Sequence, residues 1–173
     1  RQRQMCIRDR YYALPPLTRK SDGLPTGAVN GFCNMLYKLI EDTDKKISPI
    51  HLAVIFDSAR KTFRNNIYKE YKSNRTEPPE ELIPQFSLIR EATKALSIPQ
   101  VEMDGYEADD IVGTLMRLCQ EAEIEGVMVS SDKDFMQLIN EHIFLYAPGT
   151  RKAPEPIIFT PEKVVEKWGV DPE

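Results

Sequence analysis

A chain of 173 residues is most simply one domain with room for a sizeable core, and its net charge of −4 offers no global positive field to attract nucleic acid. Three cysteines, Cys6, Cys33 and Cys119, without C-x-x-C spacing argue against a disulfide scaffold or zinc knuckle and fit a reducing cytoplasm. His51 and His142 lack an evident nucleophile partner, and no apolar run approaches membrane-spanning length, so a soluble cytoplasmic protein without a membrane partner is expected.

Residues 1–10, Arg-Gln-Arg-Gln-Met-Cys-Ile-Arg-Asp-Arg, show no period and no core pattern, and are expected to be a non-native or unstructured leader. Residues 11–27 form a loop punctuated by proline and glycine. From Ala28 to Ile40, the spacing of Val29, Phe32, Cys33, Leu36, Leu39 and Ile40 predicts a helix. Gly27 and Gly31 near its start suit either close helix packing or backbone approach to a ligand. Asp42 to Ser48 reads as a polar linker, and His51 to Phe56 as a short buried strand ending at Asp57.

Residues 58–76 change character. Arg60, Lys61, Arg64, Lys69, Lys72 and Arg75 are interleaved with Phe63, Tyr68 and Tyr71, and Glu70 is the only acid among them. Such a run is usually a solvated helix face. In an acidic protein, however, basic residues alternating with aromatics are also what a phosphate backbone and its exposed bases require, and that reading is preferred.

Pro78 and Pro79 introduce a further helix, secure after Pro84, through Phe86, Ile89, Ala92 and Leu96. Gln100 to Met103 is a predicted strand, and the Gly105 turn leads into a helix reaching about Ala122. Glu107, Asp109 and Asp110 occupy the first turn of that helix on this reading, where acids favourably meet the macrodipole. Gly126 to Ser130 is a strand that delivers Asp132 and Asp134 to its end, followed by a short helix from Phe135. Glu141 to Ala147 is a strand, residues 148–156 a loop, and Ile157 to Phe159 an edge strand. Thr160 caps the last helix with Pro161 in its first position, while Lys163 denies it a capping box.

Strands alternating with helices predict an α/β fold, a mainly parallel central sheet with helices on both faces and ligands at the carboxyl ends of the strands. Asp57, the Glu107–Asp110 group and the Asp132/Asp134 pair all fall at or just beyond predicted strand ends. Two carboxylates about 5 Å apart repel by roughly 3 kcal/mol at an effective dielectric near 20, so such a gathering calls for bound cations. Oxygen-only ligation selects Mg²⁺ or Mn²⁺, and a pair of such ions suits phosphodiester hydrolysis by activated water. Lys72 and Arg75 would hold the scissile phosphate.

Several stretches occur in the order and spacing of one family: Tyr12-Ala-Leu-Pro-Pro-Leu, Pro25-Thr-Gly-Ala-Val, Val54-Ile-Phe-Asp, Phe63-Arg, Tyr71-Lys-Ser-Asn-Arg, Gly105-Tyr-Glu-Ala-Asp-Asp and Ser131-Asp-Lys-Asp. The chain resembles the 5′-nuclease domain of bacterial DNA polymerase I, a relative of the flap endonucleases, over roughly the first half of that domain. The resemblance implies a PIN-like fold, two divalent ions, and removal of 5′ flaps and RNA primers from DNA in replication and repair. It also implies a monomer with a polymerase domain following in the parent protein. By motif match, Asp57, Glu107, Asp109 and Asp110 would serve the first metal and Asp132 and Asp134 the second. Among them Asp57, Asp109 and Asp132, with Lys72 and Arg75, would carry the catalysis. Lys72 and Arg75, helped by Arg64 and Lys69, match the basic helical arch (residues 58–97), and Gly27 and Gly31 lie near the duplex junction.

Departures from the pattern are plain. Asn30 stands where the family often carries an aromatic residue, and residues 1–10 replace its apolar, Asp-Gly-bearing first strand. The family's last metal-binding aspartates and its helix-hairpin-helix have no counterpart before Glu173. The expectation is a domain incomplete at both ends, with weak or no nuclease activity by itself. The alternative is a non-catalytic DNA-binding module using the basic 60–75 segment. A phosphotransfer domain built on Asp57 is disfavoured by Ser58-Ala59 and by the missing second acid behind it.

Overall fold

The structure, a computed structural model, describes residues 16–46, 48–58, 61–73, 77–149, 153 and 155–172. Residues 1–10, Arg60 and Arg75, each singled out above, lie outside the described residues. The chain divides into two compact units between Tyr106 and Glu107. No helix among the described residues is long and apolar enough to cross a membrane.

In the unit ending at Tyr106, helix α1 spans Gly27–Lys46. Ala28, Phe32, Leu36 and Leu39 recur at helical spacing and are its buried row. The helix continues through Asp42 to Lys46, where a polar linker was expected. Thr43 explains part of this: it is buried, and its hydroxyl donates back to the Leu39 carbonyl at 2.7 Å, so the polar group is satisfied within the helix.

Helix α2 is the single turn-and-a-half Phe63–Ile67. A 3-10 turn at Glu80–Leu82 leads into helix α3, Ile83–Ala95, with Pro84 in the first turn, where a missing N–H costs nothing. Leu82 and Ile89 are fully buried, each worth about 2 kcal/mol relative to exposure. Strands β1 (Val54–Ile55) and β2 (Gln100–Val101) pair in parallel, Val54 with Gln100 and Ile55 with Val101. Both are shorter than the sequence suggested. The ladder ends at the bonds from Val54 N–H to Pro99 O and from Phe56 N–H to Val101 O, and His51 is exposed.

From Glu107 onward, helix α4 (Ala108–Glu121) is followed by strands β3 (Gly126–Val129), β4 (Ile143–Ala147) and β5 (Ile157–Phe159), and by helix α5 (Pro161–Trp168). β3 and β4 are parallel, and β5 runs antiparallel on the far edge of β4. The described strands form two ladders, β1–β2 in the one unit and β3–β4–β5 in the other.

The core of this unit is Met128, Phe135, Met136, Ile139, Ile143, Leu145, Phe159 and Val164, with Val112, Met116 and Cys119 of α4 packed against it. A Cβ at Gly126 would stand 2.8 Å from Met116 Sδ and 2.9 Å from Ile143 Cδ1, so glycine here permits the close approach of helix and sheet. The helix expected from Phe135 is a 3-10 segment, Lys133–Leu138. The strand expected from Glu141 starts at Ile143, because Asn140 Oδ1 accepts from the N–H groups of His142 and Ile143 and turns the chain there. Thr160 holds the N-cap backbone position of α5, but its hydroxyl donates to Glu162 at 2.5 Å and does not cap.

Candidate functional site

Glu107 is not in the first turn of α4 but is its N-cap, with extended backbone (φ −89°, ψ 157°), and is buried. Asp110, three residues on, reaches back to accept the Glu107 N–H at 3.0 Å, the reciprocal arm of a capping box. The Gly105-Tyr-Glu-Ala-Asp-Asp stretch therefore does structural work: it starts the helix and places Asp109 and Asp110 in the first turn, both half-buried. Gly113 lies one turn after Asp109, on the same row of the helix. A Cβ there would be 3.7 Å from Leu138 Cδ1, so this row of α4 lies against the 3-10 segment that Asp132 begins.

Asp132 is 5% exposed. Its Oδ1 accepts the Asp134 N–H at 2.9 Å, and its own N–H donates to the buried Ser130 hydroxyl at 3.0 Å. It has no basic ion-pair partner among the described residues. The neighbouring Lys133 turns instead to the Trp168 ring, 5.7 Å from its centroid. Holding an ionised carboxylate out of water without a countercharge costs several kcal/mol, and a cation at this strand end would offset that. Asp134 is exposed.

Asp57 belongs to the unit ending at Tyr106, two residues beyond β1, and is exposed. Its main chain is held by Arg90 of α3, whose Nη2 donates to the Asp57 carbonyl at 3.0 Å. The basic segment beyond it is organised by stacking. The Arg64 guanidinium lies 4.7 Å from the Phe63 ring centroid and 5.9 Å from that of Tyr71, and Lys72 Nζ is 5.1 Å from Tyr71. Phe63 meets Tyr106 at 5.6 Å, and its N–H donates to the Gly105 carbonyl at 2.8 Å. Lys72 has left-handed backbone (φ 58°), a conformation that costs a non-glycine residue on the order of 1 kcal/mol. Lys69 is exposed, and Gly27 and Gly31 are buried in α1.

Among the described residues, no three His, Cys, Asp or Glu side chains form a group positioned to hold a metal ion. Glu107 and Asp110 are brought together, as are Asp132 and Asp134, each through a main-chain bond. The donor chemistry still fits a hard divalent cation, since every candidate ligand is a carboxylate and Asp132 is buried without a basic partner among the described residues.

Two residues escaped the sequence reading. Gln85 is fully buried on α3, and its Oε1 accepts from the first helical N–H groups of α1, Ala28 at 2.7 Å and Val29 at 3.2 Å. Arg90 sits in an ordinary amphipathic helix and carries no spacing signal. Only proximity to Asp57 and Glu102 identifies it.

The family model of the 5′-3′ exonuclease N-terminal resolvase-like domain matches residues 4–169. The chain belongs to this family. Its sequence is 54% identical over 166 residues to a DNA polymerase I of Rhizobium leguminosarum, covering 94% of this chain and 16% of that protein. It is 39% identical to a 5′-3′ exonuclease of Aquifex aeolicus, covering 94% of this chain and 53% of that one. The family member described here therefore spans about half the Aquifex protein and a smaller share of the polymerase. Among solved structures, the T5 D15 protein co-crystallised with metal ions matches with a TM-score of 0.62 at 20% identity, over 82% of this chain and 55% of that one. That likeness establishes the α/β fold expected from the sequence, the PIN-like fold of the T5 5′-exonuclease.

Proposed function

We propose that this chain is part of a 5′-3′ exonuclease and flap endonuclease that hydrolyses phosphodiester bonds at DNA 5′ ends and RNA primers, using two Mg²⁺ or Mn²⁺ ions. The observation that carries the reading is Asp132, a buried carboxylate at a strand end without a basic partner among the described residues. Family membership supports it, as do the T5 flap endonuclease structures, one of which is a complex with DNA and metal ions. Asp57, Glu107, Asp109 and Asp110 would hold one ion, Asp132 and Asp134 the other. Bound there, the ions would supply an activated water and stabilise charge on the attacking and leaving oxygens. Arg64, Lys69 and Lys72, with Arg75, would grip the phosphates of a flap, nick or primer terminus, and the stacked Phe63 and Tyr71 would order that grip. A polymerase domain following in the parent protein, a monomeric state and a cytoplasmic setting complete the proposal.

The test is calorimetric titration of the chain with Mn²⁺, beside an Asp132→Ala/Asp134→Ala variant. The wild type binds saturably and the variant loses at least one equivalent. Identical titrations would refute the metal reading. In a protein of the relatives' full length, the same double variant abolishes cleavage of a 5′-flap duplex.

The cation-aromatic stack of Arg64, Lys72, Phe63 and Tyr71 favours a second reading, a DNA-binding module that works without the acids. It predicts salt-steep binding that the Asp132/Asp134 substitutions leave unchanged, with no cleavage by the full-length protein.

A further inference from the structure

We propose that Trp168, flanked by Lys133 and Lys167, is a second contact for single-stranded DNA, carried by the unit that begins at Glu107 and not by the Arg64–Lys72 segment. The proposal rests on the reading of the chain as one that grips DNA. Trp168 ends α5 and is 50% exposed. Its Nε1–H donates to Met136 Sδ at 3.2 Å, and Met136 belongs to the core, so the indole is fixed along one edge while half the residue stays open to solvent. Lys133 Nζ and Lys167 Nζ each lie 5.7 Å from its ring centroid, and Lys167 Nζ is also 4.8 Å from that of Phe159.

A tryptophan that only clamped α5 to the core would need no more than the edge that bonds Met136. The open part of the ring has no such task. Cation–π attraction fades beyond about 6 Å, so both ammonium groups are held only weakly where they stand. Neither has an ion-pair partner among the described residues, although Lys133 stands between Asp132 and Asp134. Lys163, by contrast, is engaged by the Ile158 carbonyl at 2.8 Å, and Glu166 lies about 160° round the α5 axis from Trp168. An open indole beside two cations suits a single strand, in which every base offers a π-face and every link a phosphate. An acidic peptide would use the lysines and leave the indole idle. A purely apolar partner would use the indole and bury two unpaired charges, which is costly.

Trp168 is the sole tryptophan of the chain, so its fluorescence reports on this contact directly. The experiment adds oligothymidylate at low salt to the 173-residue chain, reading Trp168 emission and, with a labelled strand, anisotropy; melting curves establish that each variant is folded. Binding quenches Trp168 saturably, with the same midpoint by both readings. Trp168→Leu weakens binding by about tenfold, within the range of one stacked base, whereas Trp168→Phe retains most of the affinity. Lys133→Ala/Lys167→Ala lowers the slope of log K against log salt by between about 1 and 2, one phosphate contact per lysine. Lys72→Ala binds more weakly but shows the full quench at saturation. If Trp168→Leu does not fold, Trp168→Phe and the lysine double variant carry the test. Binding by anisotropy without a change in Trp168 emission overturns the proposal and leaves the DNA reading standing, as does a lysine double variant with wild-type affinity and slope. Emission that follows protein concentration and ignores the oligonucleotide overturns it too, and marks this face as a contact between copies of the chain. Absence of any binding by the unsubstituted chain overturns the DNA reading itself, and the role of Trp168 with it.

Discussion

Replacing Gln85 tests how α1 begins. The side chain is fully buried, its Oε1 takes the N–H groups of Ala28 and Val29, and its Nε2 donates to the Glu81 carbonyl at 2.9 Å. In Gln85→Met the volume is nearly kept and all three bonds are lost. Losing a helix cap costs about 1 kcal/mol, and leaving a buried amide without a partner adds about 1–3 kcal/mol. The expected destabilisation is therefore about 2–4 kcal/mol. At roughly 2–4 °C per kcal/mol for a chain of this size, the melting temperature falls by about 4–16 °C. Gln85→Ala adds a cavity and falls further. Urea denaturation at neutral pH, followed by far-ultraviolet circular dichroism, measures both. A Gln85→Met protein within about 0.5 kcal/mol of the wild type would refute the reasoning, because exposed N–H groups finding water would then explain α1 equally well.

Gly126→Ala places a methyl group within 2.8 Å of Met116 Sδ and 2.9 Å of Ile143 Cδ1 and should destabilise by about 1–2 kcal/mol. The added Met116→Ala change should make the pair less costly than the sum of the singles, measured by the same denaturation. The Arg19 guanidinium bonds Asp22 and lowers its carboxyl pKa to about 2, and Asp22 Oδ1 also accepts the Leu24 N–H at 3.2 Å. A depressed carboxyl stabilises above its unfolded pKa and loses that contribution as pH falls towards 2, so exchange of the Leu24 amide, corrected for intrinsic rate, should quicken over that window. Asp22→Asn should quicken it already at neutral pH. Lys72→Ala should weaken binding to single-stranded DNA and reduce the slope of log K against log salt by about 1, measured by fluorescence anisotropy across a salt series.

The order of helices and strands was legible in the sequence because it follows from apolar spacing, and spacing is local. The buried row of α1 through Ala28, Phe32, Leu36 and Leu39 is such a case, as is Pro84 at the front of α3. So was the placement of acids after strands, since β3 does deliver Asp132 and the Gly105 turn does precede α4. Element ends were less legible, because they depend on which group takes the last hydrogen bond. α1 runs past its expected stop with the Thr43 hydroxyl satisfied by the Leu39 carbonyl, and Asn140 delays β4.

What only the tertiary structure decided are the bonds between residues far apart in the chain. Gln85 takes the N–H of Ala28, 57 residues earlier, and Arg90 holds a carbonyl 33 residues away. No periodicity encodes either, since a side chain's partner at that range is set by how helices and strands pack and not by its neighbours in sequence. The burial of Asp132 without a basic partner among the described residues is of the same kind. The sequence supplied its charge, but the surroundings that make that charge costly to leave alone exist only once the chain has folded around it.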